Sequence, residues 1–267
     1  MPRIHAFEWN DNEKAPRWLR DSIVEILGRG LRWGRIYVPV APLFARFLER
    51  AGARSVLDLA SGSGEPCSIL LDAFERAAMA PPRFVVSDLF PNEPALRAVA
   101  ERHPGRVEVV TESVDATAVP ERYDQPARTI ITAFHHFTPE LARKIFADCV
   151  ARRRAIFILE PGGRKPRLVF SVLPSMVLGT LANPFLAQRQ RLVKFFFTYL
   201  IPVIPLCGFW DACVSTLRAY TEDELRAMVE PLGGGYTWEY HTVPFVPFGR
   251  ATVFLGLPAL PLRAEGA

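Results

Sequence analysis

The sequence predicts an α/β fold: a seven-stranded, mostly parallel sheet with an antiparallel last strand, an N-terminal helical cap and an apolar insertion after strand five. Three observations predict it. Between Ser55 and Glu160, five short apolar runs alternate with stretches whose apolar residues recur at helical spacing, the pattern of parallel strands joined by crossover helices. The first run meets a glycine-rich turn, SGSGEP. Two more strand-like runs with a short connection come last, and such neighbours pair antiparallel.

Element by element, the stretch from Met1 to about Leu48 reads as helical, with Trp9, Trp18, Leu19, Ile23, Ile26 and Leu27 as its apolar positions. SVLDLA from Ser55 to Ala60 is the first strand, and a helix from about Glu65 to Ala78 follows the glycine turn. PPRFVVSD ends a second strand at Asp88, and Ala95, Leu96, Val99 and Ala100 mark the next helix. RVEVVTESVDA is a third strand with its exit loop, and RTIITAF a fourth that ends just before His135. Thr138-Pro139-Glu140 starts a helix to about Val150, with proline in the first turn. RRAIFILEP ends a fifth strand at Glu160; TEDELRAMVE is a capped helix, and YTWEYHTVP and RATVFLGLP are the final strands. One domain over 1–267 is expected, divided as a helical cap (1–50), a cofactor-binding core (51–161), an apolar cap (162–220) and a final helix with strands (221–260).

Within that insertion an uncharged run from Leu168 to Gln188 exceeds the length of about 18 residues that a membrane span needs. Pro174, Gly179, Asn183 and Pro184 interrupt it, however, and a second run from Phe195 to Trp210 is broken by Pro202 and Pro205. Its first reading is therefore a cap over a substrate pocket, its second a peripheral membrane contact through 168–210, and its last a hairpin through the bilayer. The 24 prolines, nearly double the usual share of about 5%, predict irregular connections in the second half in place of long helices.

The 267 residues, 49% hydrophobic and 22% charged, exclude a disordered, collagen-like or coiled-coil chain. A formal charge of +4, carried by short arginine clusters without interleaved aromatics, does not suggest nucleic acid. Cys67, Cys149, Cys207 and Cys213 form no C-x-x-C pair and no metal-ligand spacing, so free thiols and no metal are expected. The first residues lack the apolar core of a signal peptide, and the expected location is cytoplasmic, with membrane association as the variant.

In open parallel sheets the ligand lies beyond the C-terminal strand ends, which selects Asp58 to Glu65, Asp88, Asp115, Phe134 to Phe137 and Glu160. Gly62 and Gly64 let the backbone approach a ligand closely. Two ligand classes use such a turn. A dinucleotide puts its pyrophosphate on the following helix N-terminus, where this chain carries Glu65, and Cys67 replaces the third glycine of G-x-G-x-x-G. S-adenosylmethionine has no phosphate and carries a sulfonium and an ammonium, which carboxylates favour. Asp88 is placed to accept both ribose hydroxyls of either ligand. Asp115 and Ala116 bracket an adenine, or else Asp115 caps a turn; Ala133 and Phe134 complete the expected cofactor wall.

VLDLASGSGEP, Asp88 closing strand two, VDA after strand three and the late antiparallel strands together resemble the class I S-adenosylmethionine-dependent methyltransferases, and AFHHFTPELARKIF, FWDACVSTLRAYTEDEL and FGRATVFLGLP are similar to a bacterial group of small-molecule type. The resemblance implies a Rossmann-like fold with S-adenosyl-L-methionine as cofactor. It puts Asp58, Ala60, Ser61, Gly62 and Gly64 on the methionine-binding loop, Asp88 and Leu89 at the ribose and adenine, and Asp115 and Ala116 in the adenine pocket.

Methyl transfer needs alignment and exclusion of water, and a base only where the acceptor must lose a proton. His135 and His136 after strand four are candidates for that base, or else structural; Glu160 orients the acceptor or a histidine, or merely ends its strand. Trp9 and Tyr37 are candidates for an aromatic lid over the substrate. Arg218 either pairs with Asp211 or binds an acceptor carboxylate. The expected function is O- or N-methylation of a small, largely apolar acceptor. The alternatives are an enzyme that uses S-adenosylmethionine itself as substrate, by cyclisation or aminocarboxypropyl transfer, a nicotinamide-dependent oxidoreductase, and a non-catalytic membrane-surface protein.

Overall fold

The computed structural model describes residues 2–12, 14–164, 166–187, 190–245 and 249–259, with backbone alone for 166–173 and 175. Its centre is a seven-stranded sheet in the order β3-β2-β1-β4-β5-β7-β6. The strands are β1 (Ser55–Asp58), β2 (Arg83–Asp88), β3 (Val107–Ser113), β4 (Ala127–Ile131), β5 (Ala155–Pro161), β6 (Tyr236–Phe245) and β7 (Gly249–Pro258). The first five run parallel, and β7 is antiparallel to both β5 and β6. The chain therefore reverses its winding between β1 and β4, where their carboxyl ends diverge into a crevice.

The helices are α1 (Arg17–Trp33), α2 (Ala41–Arg50), α3 (Glu65–Arg76), α4 (Glu93–Arg102), α5 (Pro139–Ala151), α6 (Pro166–Leu186), α7 (Arg191–Phe195), α8 (Val203–Arg218) and α9 (Glu222–Val229). Local chemistry sets their starts. The Asn92 and Thr138 side chains accept from Ala95 and Leu141 N–H to begin α4 and α5, each with a proline in the first turn, and Thr221 and Glu224 form a reciprocal capping box on α9. One sheet face packs on α2 and α3 through Phe44, Phe47, Phe74, Phe84 and Phe157; the other packs on α5 and α9 through Phe134, Phe146 and Phe254. Arg128 crosses the centre of β4 with no exposure, but Asp124 at 2.8 Å and Asp148 at 2.6 Å neutralise it, which makes a buried charge tolerable.

Two expectations are corrected. The N-terminal stretch is not helical throughout: helix begins only at Arg17, after Pro16, and residues 2–12 run as an irregular strap tied down by side chains. The proline-rich half is not irregular either. It holds α6, 21 residues long with Pro174 and Pro184 inside it, and α8, 16 residues long with Pro205 in its first turn, where a missing N–H costs no helical bond. Packing against α1 overrides the helix-breaking tendency: the Lys194 ammonium lies 2.7 Å from Glu25, Arg29 bonds Asn183, and Trp18 stacks on Phe197 at 4.3 Å.

Candidate active site

The loop leaving β1 turns through three left-handed residues, Ala60, Gly62 and Gly64, at φ of 55°, 56° and 71°. A side chain at Gly62 would meet no atom within 4 Å, so the loop opens onto free space there. The Asp88 carboxylate at the end of β2 accepts from Gly62 N–H and Phe90 N–H, both at 2.8 Å, tying the second strand end to the loop. Ser61 is buried, donates to Asp58 Oδ2 at 2.7 Å and accepts from Ser87 N–H at 3.2 Å. Asp58 Oδ1 is buried without a partner. Burial, and to a lesser degree Asp88, raises the Asp58 carboxyl to about 7 against the pull of Ser61.

Further around the crevice, Leu89 and Phe90 are exposed and Ala116 is buried. Asp115 is exposed and makes the turn that the sequence left as its alternative, with Oδ1 accepting from Thr117 N–H and Oγ1. Ala133 and Phe134 lie at the exit of β4, Phe134 buried against Phe146 and Tyr220. The charge argument at Glu65 needs correction. Arg32 at 2.5 Å and Arg102 at 2.7 Å hold that carboxylate, so its repulsion of an anion is largely compensated.

A second cluster forms where β4 and β5 end. Thr132 adopts a left-handed φ of 59°, turning the chain sharply into Phe134–His136. Glu160 then grips His135 twice: Oε1 accepts its backbone N–H at 3.0 Å and Oε2 faces its ring Nδ1 at 2.9 Å. A carboxylate on that edge favours the tautomer with its proton on Nδ1, which makes Nε2 the acceptor of the ring. The His136 ring lies against His135, centroids 4.2 Å apart, and its Nδ1 is 3.3 Å from Asp11.

The strap supplies the rest. Glu8, 3% exposed, lies 4.0 Å from both His135 Nε2 and His136 Nε2, 3.1 Å from Arg218 Nη1 and 3.0 Å from Ser215 Oγ. Burial raises its carboxyl to about 7, with His136 and Arg218 pulling the other way. Asp11 is also desolvated, but hydrogen bonds from His136 and Arg218, 2.8 Å away, hold it well below the carboxylate range. Arg3 donates to the carbonyls of His135 and Phe137 at 2.9 Å and of Arg218 at 2.7 Å.

Glu8, His135 and His136 offer donor atoms within 4.8 Å of one another. Arg218 already supplies the counter-charge to Glu8, which disfavours a divalent ion there.

The structure thus brings together His135, His136 and Glu160, and separately the loop residues with Asp88. Of the three substrate candidates, Tyr37 and Arg218 are placed otherwise than expected. Tyr37 has no exposure and bonds Thr132 through its hydroxyl, so it is part of the wall behind the strand ends and no lid. Trp9 lies on the strap, its N–H donating to Asp211 at 2.8 Å. Arg218 does not pair with Asp211, which instead accepts from Trp9 and Asn10 N–H; it is buried on Glu8, Asp11 and the Ala6 carbonyl. Sequence reasoning missed Arg3, Glu8 and Asp11, which stand in an aperiodic stretch with no motif around them.

No protein-family model matches the chain, and no curated protein does. Among solved structures, the plantazolicin methyltransferase BpumL in complex with SAH is similar at a TM-score of 0.55 and 11% identity, over 94% of this chain and 93% of that one. The mitomycin 7-O-methyltransferase MmcR is similar at 0.51 and 15%, over 94% of this chain and 59% of that one. An O-methyltransferase family protein from Burkholderia thailandensis gives 0.45 and 18%, over 82% of this chain and 55% of that one. The chain thus spans little more than half the length of the last two. The first two likenesses establish the fold alone: a Rossmann-like, mostly parallel sheet flanked by helices.

Proposed function

We propose that the protein is an S-adenosylmethionine-dependent methyltransferase acting on a small, largely apolar molecule that carries a hydroxyl or amine. The observation that supports it most is the Glu160–His135 pair at the same end of the sheet as the left-handed loop. The residues present fit the cofactor: the open side of Gly62, the unpartnered Asp58 Oδ1 and the Asp88 carboxylate suit, in turn, a close backbone approach, an ammonium and a ribose diol. Ala60, Ser61 and Gly64 would shape the methionine end, and Leu89, Asp115, Ala116, Ala133 and Phe134 the adenine end. When bound, the cofactor supplies a methyl group already activated on a sulfonium.

The chain's own part is to align the acceptor, keep water out and take a proton. His135 Nε2 is the atom for the last task, since Glu160 fixes the ring and stabilises the imidazolium that forms. Glu8 and Arg218 close the site on the side away from β5.

Calorimetric titration with S-adenosylhomocysteine tests the reading without knowledge of the acceptor. Micromolar binding is expected, weakened at least tenfold by Asp88→Ala with an unchanged melting curve. No binding by the wild-type protein would refute the cofactor assignment.

A further inference from the structure

We infer that the face built by α6, α7 and α8 docks the protein on the surface of an anionic phospholipid bilayer. All three segments turn apolar side chains outward. On α6, Leu178 and Phe185 are 58% and 54% exposed while Asn183 and Thr180 point in; on α8, Leu206 and Phe209 are 66% and 55% exposed while Ile204 and Cys207 point in. Between them, Leu192 is 84% and Leu200 71% exposed. A soluble monomer rarely leaves so much contiguous apolar surface in water. Tyr199 and Trp210, also outward, are the residue types that settle at a headgroup boundary.

Charge selects the occupant. From Pro161 to Trp210 the sequence has six cations and no carboxylate, in a chain whose overall balance is only +4. Arg164 and Lys194 are turned inward onto Glu224 and Glu25, and Arg191 is exposed beside Leu192. A second copy docking by two-fold symmetry would bring exposed Arg191, in a stretch with no carboxylate of its own, up against its own copy, whereas an anionic headgroup layer complements it. Geometry selects the depth. Among the described residues no single helix is long and apolar enough to cross a bilayer, and the chain bends by 79° between Arg191–Leu200 and Val203–Arg218. Only as a pair do these two reach the length and apolarity of a span, and a bend of that size suits elements that lie in the interface. The face reaches the candidate active site through Trp210, whose indole N–H donates to the Phe7 carbonyl on the strap at 2.9 Å. This inference stands apart from the methyltransferase reading.

The test is sedimentation of the full chain with vesicles of phosphatidylcholine alone and of phosphatidylcholine containing a quarter phosphatidylglycerol. Wild-type protein is expected to partition onto the anionic vesicles and less onto the neutral ones. The variant Leu192→Gln, Leu200→Gln, Leu206→Gln removes outward apolar surface without adding charge. It is expected to lose at least tenfold in partitioning while its melting temperature is kept. Equal partitioning of variant and wild type, or no binding to either vesicle, overturns the inference. So does a stable dimer in light scattering that the same substitutions dissolve while vesicles fail to sediment the protein.

Discussion

Glu8 lies where three demands meet: it is desolvated, it faces two histidines, and it is the partner of Arg218. Its carboxyl, raised from 4.5 to about 7, binds a proton more tightly in the folded chain than in the unfolded one. The resulting stabilisation is complete below pH 4.5 and is lost as pH rises through 7, a swing on the order of 3 kcal/mol. Glu8→Gln, which cannot ionise, is expected to lose less stability than wild type between pH 5 and pH 8 in urea titrations; parallel curves would count against the buried carboxylate. At His135 the expectation is kinetic. With an acceptor in hand, His135→Gln should lower kcat by about 10²-fold or more, and Glu160→Gln by less, while S-adenosylhomocysteine affinity holds. Loss of affinity instead would make the pair structural. Asp88 and Glu160 were legible because each lies at the end of a readable strand, and His135 because it follows one closely. Glu8 and Asp11 were not, because no period or motif marks a residue whose partners are fixed only in three dimensions.

At the scale of elements, strands were easier to read than helices. Each of the seven strands follows a short apolar or alternating run. Proline misled, because its cost depends on position within a helix and on what the helix packs against. The last strand pair shows a constraint that no run of letters displays. Gly256 on β7 lies under the ring of Trp238 on β6, and an added Cβ would come within 2.2 Å of it. That ring stacks on Phe254, with centroids 5.5 Å apart, so it cannot easily step aside. Gly256→Ala is expected to destabilise the fold by about 1–3 kcal/mol, measured by chemical denaturation; an unchanged midpoint would mean that the indole swings clear.

Over the whole molecule, the acid-free apolar stretch from Pro161 to Trp210 was legible from composition, since it stands out against the balanced remainder. What was not legible is how it is joined to that remainder, because the joint is the strap. Arg3 bonds the backbone of Arg218, 215 positions away, and Trp9 bonds Asp211, 202 positions away. Contacts of such separation carry a high loop-closure cost and form late. On the ribosome the consequence is a delay. Residues 3–11 are synthesised long before α8; Arg3 and Asp11 can meet residues 135–137 earlier, but the Ala6 carbonyl and the Trp9 and Asn10 N–H groups lack their partners until Asp211 and Arg218 have emerged. A nascent chain holding every strand up to β5 therefore lacks the Ser215 and Arg218 contacts that hold Glu8 beside the histidine pair.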